Sequence, residues 1–188
     1  MTWQTISLAD VPPSPWKNGG GVTRELAVWP NPQDWLWRMS VAEVASDGPF
    51  SRFDGIDRWF AVLSGAGVRL DMGPEVQAHT LTSDSAPLCF AGDEPVLCGL
   101  IDGATQDFNL MLRRNHASAR MVRVTGTFSA ATQASKILAV YAMGNGASLH
   151  FDDEVLNLPS DTLAWRHCPA GTRLQVEAAQ ALWMEIAT

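Results

Sequence analysis

Alternation, rather than helical periodicity, runs through this chain. Short stretches in which apolar and polar residues alternate, or apolar residues run together, are separated by Gly, Pro, Asp and Asn. Examples are "VTRELAVW", "WLWRMSVAEV", "RWFAVLSG", "GVRLDMG", "DFNLMLRR", "KILAVYAMG", "ASLHF" and "TRLQVEA". Strands of this length between turn signals predict an all-β sandwich or barrel. Eleven prolines and fifteen glycines supply the breaks between them.

The second half of the pattern echoes the first. "FAVLSGAGVRL", from Phe60, and "LAVYAMGNGASLHF", from Leu138, are each an apolar strand, a glycine turn and a second strand, and Ala61-Val62 maps to Ala139-Val140 at an offset of 78. "LTSD", ending at Asp84, maps to "LPSD", ending at Asp161, at an offset of 77. Ala91-Gly92 precedes "DEPVLC" as Ala170-Gly171 precedes "TRLQVE", at an offset of 79. Three matches in one order at a nearly constant offset indicate duplication of a β unit. A repeat of this size predicts an all-β bicupin, two small jelly-roll β-barrels packed together in the RmlC-like cupin manner. The expected division is residues 1–112 and 113–188, with strands exchanged between barrels as a variant of that plan.

Charge narrows the partners. The formal net charge of −7 opposes a phosphate-tracking surface, so nucleic acid is not expected. The opening "MTWQTISLAD" lacks the basic start and apolar core of a signal peptide, and no apolar run has membrane-spanning length. Cys89, Cys98 and Cys168 make an odd count without a CxxC pair, as in a reduced compartment. A cytoplasmic protein with no membrane partner is expected.

Several chemistries are missing. His79, His116, His150 and His167 are too far apart in sequence for HxH or HExxH, so neither a metal site nor another cofactor is expected. No G-x-S-x-G occurs, and Cys89 and Cys98 read as inert core thiols. "GGGVTR" is not a phosphate loop, because Lys17 precedes the glycines and a strand follows them.

Candidate chemistry lies instead on strand faces. After the glycines, Thr23, Glu25 and Ala27 share one face, with Val22, Arg24, Leu26 and Val28 on the other. In "WRMSVAEV", Arg38, Ser40, Ala42 and Val44 form a small, partly polar face with one arginine, as a pocket wall would. "QDFNLM" sets Asp107, Asn109 and Met111 on one face, and "DGPFSRFDGIDR" is a turn-rich connection containing Arg58. Structural pairing of Arg24, Arg38 and Arg58 with Glu25, Glu43, Asp57 or Asp107 is the competing reading. The tryptophans read mostly as packing, with Trp16 at a pocket rim.

"PWKNGGGVTRE", "WRMSVAEVASDGPFSRFDGIDR" and "DFNLM", in this order, resemble the HutD/Ves family. The resemblance implies a bicupin without the cupin metal ligands. It also implies a cytoplasmic, small-molecule-binding protein that modulates histidine utilisation, with a small acidic metabolite of the formylglutamate kind as partner. A homodimer is compatible with it. Ves-type members are linked to cold or stress responses instead. Carried over by motif, the ligand-binding candidates are Lys17, Asn18, Gly20, Thr23, Glu25, Arg38, Ser40, Arg58, Asp107 and Asn109. Arg38 and Lys17 would hold carboxylates, and Asn18 or Asn109 a formyl or amide group. The glycines would offer a backbone nest beside Lys17. The rival is an isomerase or hydrolase with Glu25, Glu43 or Asp107 as general base.

Overall fold

The computed structural model describes residues 2–151 and 154–188. Apart from one 3-10 turn at Leu8–Asp10, the regular structure of these residues is all strand. Among them, no helix is long and apolar enough to cross a membrane. The chain forms two compact units: Val11–His116, and Ala117–Thr188 together with the N-terminal stretch through Asp10. The division falls after His116, and the first strand, β1 (Gln4–Ser7), belongs with the second half, where it pairs with the strand Thr162–Cys168.

In the first unit the strands are β2 (Ser14–Pro15), β3 (Gly21–Trp29), β4 (Trp37–Val44), β5 (Gly48–Pro49), β6 (Ile56–Ser64), β7 (Val68–Asp71), β8 (His79–Leu81), β9 (Leu88–Ala91), β10 (Leu97–Leu100) and β11 (Thr105–Arg113). They form a six-stranded sheet, β2-β3-β4-β11-β6-β9, and a four-stranded sheet, β5-β10-β7-β8. One apolar cluster draws on both, with Val44, Phe60, Val62 and Phe90 from the larger sheet and Val68, Leu70, Leu81 and Cys98 from the smaller. Two sheets closed over one core make a jelly roll.

The second unit comprises β1, β12 (Ser118–Ala131), β13 (Lys136–Ala142), β14 (Ala147–Phe151), β15 (Glu154–Leu158), β16 (Thr162–Cys168) and β17 (Arg173–Ala187). β17 pairs with β14 through Leu174–Ala178 and with β13 through Ala181–Ile186, while β12 follows it on the other side. A bulge between Val124 and Gly126 bends that pair, and Gly126 takes φ +80° there. The core is filled by Trp183, Leu138, Leu149, Val176 and their neighbours.

The duplication read from the sequence is present as topology. β6–β9, β6–β11, β7–β8 and β7–β10 recur as β13–β16, β13–β17, β14–β15 and β14–β17, all antiparallel. Gly67 and Gly146 occupy matching turns at positive φ, and a Cβ at either would collide with the carbonyl of Leu81 or Leu158 respectively. β17 does in one strand what β10 and β11 do in two.

The alternation expected along β3 breaks at one residue. Glu25 pairs with Ser40 but Ala27 pairs with Met39, so a bulge at Leu26 shifts the parity. Val28, opposite Arg38, therefore joins Thr23 and Glu25 on their face, and Ala27 turns to the other side.

Candidate functional site

Register builds the floor of a cavity in the first unit. Across β3, β4, β11 and β6 the ladders align Thr23, Ala42, Asp107 and Val62 in one row. The next row is Glu25, Ser40, Asn109 and Phe60, and the third is Val28, Arg38, Met111 and Arg58. Directly opposed residues share a sheet face. Over these rows lies a cavity of ≈ 510 Å³, within the range of small-molecule sites. Trp16, Pro49, Phe50 and Phe53 close its sides.

Arg58 is the most unusual group there. It is 6% exposed, and its Nη2 donates to Asn109 Oδ1 at 2.8 Å. Three rings surround the guanidinium, with centroids at 5.0 Å (Phe50), 5.2 Å (Phe90) and 5.8 Å (Phe53). Nε makes no hydrogen bond, and no carboxylate pairs with this cation among the described residues. Burial, and secondarily the Arg38 charge, bring its pKa down to about 10, so it stays a cation at neutral pH.

Arg38, half-buried, sets its Nε 3.2 Å from Glu25 Oε2 but off hydrogen-bond alignment, so that Nε is also unsatisfied. Glu25 is exposed and lies beside the cavity rather than in its lining. The enclosed space thus carries two guanidinium groups and one carboxylate at its margin. Such a site favours an anion with planar oxygens.

The glycine stretch shapes the mouth. Gly19 takes φ +73° and its N–H donates to Trp16 O at 3.0 Å, while Gly20 N–H donates to Asn18 Oδ1 at 3.0 Å. Both donors are used within the turn, so the expected anion nest is not formed by them. A Cβ on Gly21 would strike the Glu43 carbonyl and crowd the Trp16 ring at 3.1 Å. The stretch therefore leaves room for the Trp16 ring beside Gly21, and Trp16 Nε1 donates to Thr23 Oγ1 at 2.7 Å. Trp16 lines the cavity from this position.

Of the sequence-derived candidates, Lys17, Asn18, Thr23, Arg38, Ser40, Arg58 and Asn109 line the cavity together. Lys17 and Asn18 are exposed at its mouth. Gly20 borders a smaller neighbouring hollow instead. Glu43 is exposed and opposite Val22, on the other face of the sheet from Ser40 and Ala42. Asp57 pairs with Arg114 at 2.7 Å rather than with a cavity arginine. Arg24 is half-buried and outside the lining. Trp29 is exposed rather than packed, and Cys89 is exposed where a core thiol was expected. The sequence reading missed the phenylalanine cage, because Phe90 and Phe50 are brought to Arg58 from separate strands and loops.

Asp107 is fully buried in the row above Asn109, outside the cavity lining. Thr105 Oγ1 donates to its Oδ2 at 2.8 Å, and Oδ1 has no hydrogen-bond partner among the described residues. Burial pushes its pKa up to about 7, against the smaller lowering effect of the Thr105 hydrogen bond.

The cupin fold commonly holds a metal, but these residues do not fit one. Among the described residues no three His, Cys, Asp or Glu side chains cluster, and two guanidinium groups line the cavity where a cation would sit.

A tandem jelly-roll fold with such a cavity defines a cupin-type protein. More distant solved structures share that fold alone: Escherichia coli YlbA at TM-score 0.71 and 8% identity, and a Bacillus subtilis oxalate decarboxylase variant at 0.61 and 9%. The chain belongs to the HutD family, whose model matches residues 8–184. Membership associates it with histidine utilisation. It is 34% identical over 177 residues to protein Ves of Cronobacter sakazakii, covering 94% of each chain. HutD from Pseudomonas fluorescens SBW25, solved in a formate condition, superposes at TM-score 0.87 with 26% identity over 99% of this chain and 98% of that one. A conserved Pseudomonas aeruginosa protein of unknown function superposes at 0.89 with 28% identity over the whole of both chains.

Proposed function

We infer that this chain binds a small acidic metabolite in the cavity of its first unit and thereby modulates histidine utilisation. The ligand class is a carboxylate or dicarboxylate with a neutral amide or formyl group, of which formylglutamate is the type. One observation carries this reading: Arg58 is a buried cation surrounded by rings and an amide, and no carboxylate of the described residues pairs with it. A buried charge without a counter-charge is costly, and an anionic ligand would offset that cost. Arg38 and Lys17, nearer the mouth, suit a second carboxylate, and Phe60, Met111 and Ala42 suit the methylenes between.

Thermal unfolding with formylglutamate, formiminoglutamate, urocanate, glutamate and histidine tests this. A ligand at a hundred times its Kd stabilises by about 2.7 kcal/mol. For a chain of this size the midpoint should rise by roughly 5–10 °C. Arg58→Met, which keeps apolar bulk among the rings, should abolish the shift while leaving the fold intact. An unchanged midpoint with every acid, or an undiminished shift in the variant, defeats the reading.

A further inference from the structure

The two units follow one plan, so each position of the cavity floor has a counterpart in the other unit. At the offset of 78, Phe60 corresponds to Leu138 and Arg58 to Lys136. Asn109 lies directly across from Phe60, and Glu185 directly across from Leu138, which makes Asn109 and Glu185 counterparts. The diagonal contact is repeated as well. Arg58 Nη2 donates to Asn109 Oδ1 at 2.8 Å, and Lys136 Nζ donates to Glu185 Oε2 at 2.8 Å. On the next strand Ser40 faces Asn109 as Arg120 faces Glu185. One row up, Asp107 opposite Val62 has as its counterpart Trp183 opposite Val140.

The chemistry of the two copies differs. In the second unit the cation meets a carboxylate of its own chain. Burial pushes the Glu185 carboxyl up, but hydrogen bonds from Lys136 and Trp183 and the charges of Lys136 and Arg120 outweigh it, so the group is held below its usual range. Trp183, fully buried against Phe128 at 5.5 Å, fills the interior beside this pair. In the first unit the corresponding cation meets a neutral amide, the interior position is the smaller Asp107, and a cavity adjoins the pair.

We propose that Arg58 seats a carboxylate from outside the chain where the second unit supplies Glu185 from within, and that Asn109 is the specificity determinant that keeps the first unit from satisfying its own cation. The proposal rests on reading the cavity as an anion site. Asn109 selects by being neutral: an acidic residue of the same shape would occupy Arg58 and repel the ligand.

Asn109→Asp tests this without a change of size. Binding of glutarate and formylglutamate, measured by calorimetry, should weaken about a hundredfold through the added like charge. The unliganded variant should melt above wild type at pH 7, because the introduced carboxylate would be paired with Arg58 as Glu185 is with Lys136. A carboxylate stabilised in the folded state contributes above its unfolded pKa and loses that contribution as pH falls through its folded value. The difference in midpoint should therefore vanish in acid, near pH 3 or below. Carboxylate binding equal to wild type overturns the proposal, as does a variant less stable at pH 7 or unable to fold while the neutral Asn109→Ser folds. If wild type binds no carboxylate yet Asn109→Asp gains acid-labile stability, the pairing inferred from the repeat stands and the ligand-binding reading fails.

Discussion

At the scale of single residues, the first unit keeps two ionisable groups in places that oppose their charge, for different reasons. Arg58 is compensated by ring faces and the Asn109 oxygen and remains charged. Asp107 accepts a hydrogen bond from Thr105, and burial moves its titration to about 7. The sign follows from linkage: between about pH 4 and 7 the unfolded chain releases this proton while the native chain retains it. Stability from this group is full in acid, falls as pH rises through that window, and is level above it. Asn in its place accepts the Thr105 hydrogen bond and removes the titration. Urea unfolding of Asp107→Asn should show little change at pH 4 and a gain on the order of 2–4 kcal/mol at pH 8. An equal effect at both pH values would assign the change to packing. The sequence pattern put Asp107 and Asn109 on one face, but it could not say that Asp107 is sealed in while Asn109 borders open space. That depends on what lies beside each position: Val62 of the apolar core in one case, Arg58 and the cavity in the other.

At the scale of elements, the triple glycine acts through a turn and a close strand approach rather than through its own N–H groups. Three glycines in a row do not reveal which of them is constrained. Gly19 needs its positive φ, Gly21 needs its missing Cβ, and Gly20 needs neither as strictly. Gly21→Ala should cost about 1–3 kcal/mol, and it should also loosen Trp16 from Thr23 and weaken ligand binding. Gly20→Ala meets side-chain atoms instead of backbone: the Ser46 hydroxyl at 3.1 Å, Asn18 Oδ1 at 3.4 Å and Asn18 Cγ at 3.7 Å. It should be the milder of the two in both unfolding and binding. Equal costs would mean that the Trp16 contact is not what the glycines serve. The bulge at Leu26 belongs to this scale too. An alternating sequence predicts faces correctly only until an extra residue enters the ladder, and nothing in "TRELAVW" announces that residue.

At the scale of the whole molecule, a chain of net charge −7 places two arginines in one small enclosed space and no cluster of metal ligands among its described residues. Its ligand-induced stabilisation should therefore be the same in EDTA as in its absence, and manganese or zinc should not substitute for an acid. Loss of the carboxylate-dependent midpoint shift on chelation would show that the protein holds a metal ion after all. Duplication also works at this scale. It lets one unit act as a comparison for the other, with matched strands carrying Arg58 and Asn109 in one and Lys136 and Glu185 in the other.

By itself the sequence determined the strand content, the duplication, the family and most of the side chains that line the cavity, because alternation and turn residues are local properties written in neighbouring positions. Only the tertiary structure decided that β1 joins the second unit, which buried polar group is sealed and which is open, and that three phenylalanines cage Arg58. Those facts depend on ladder register, on one bulge and on side chains that meet from distant parts of the chain, and no local pattern encodes them.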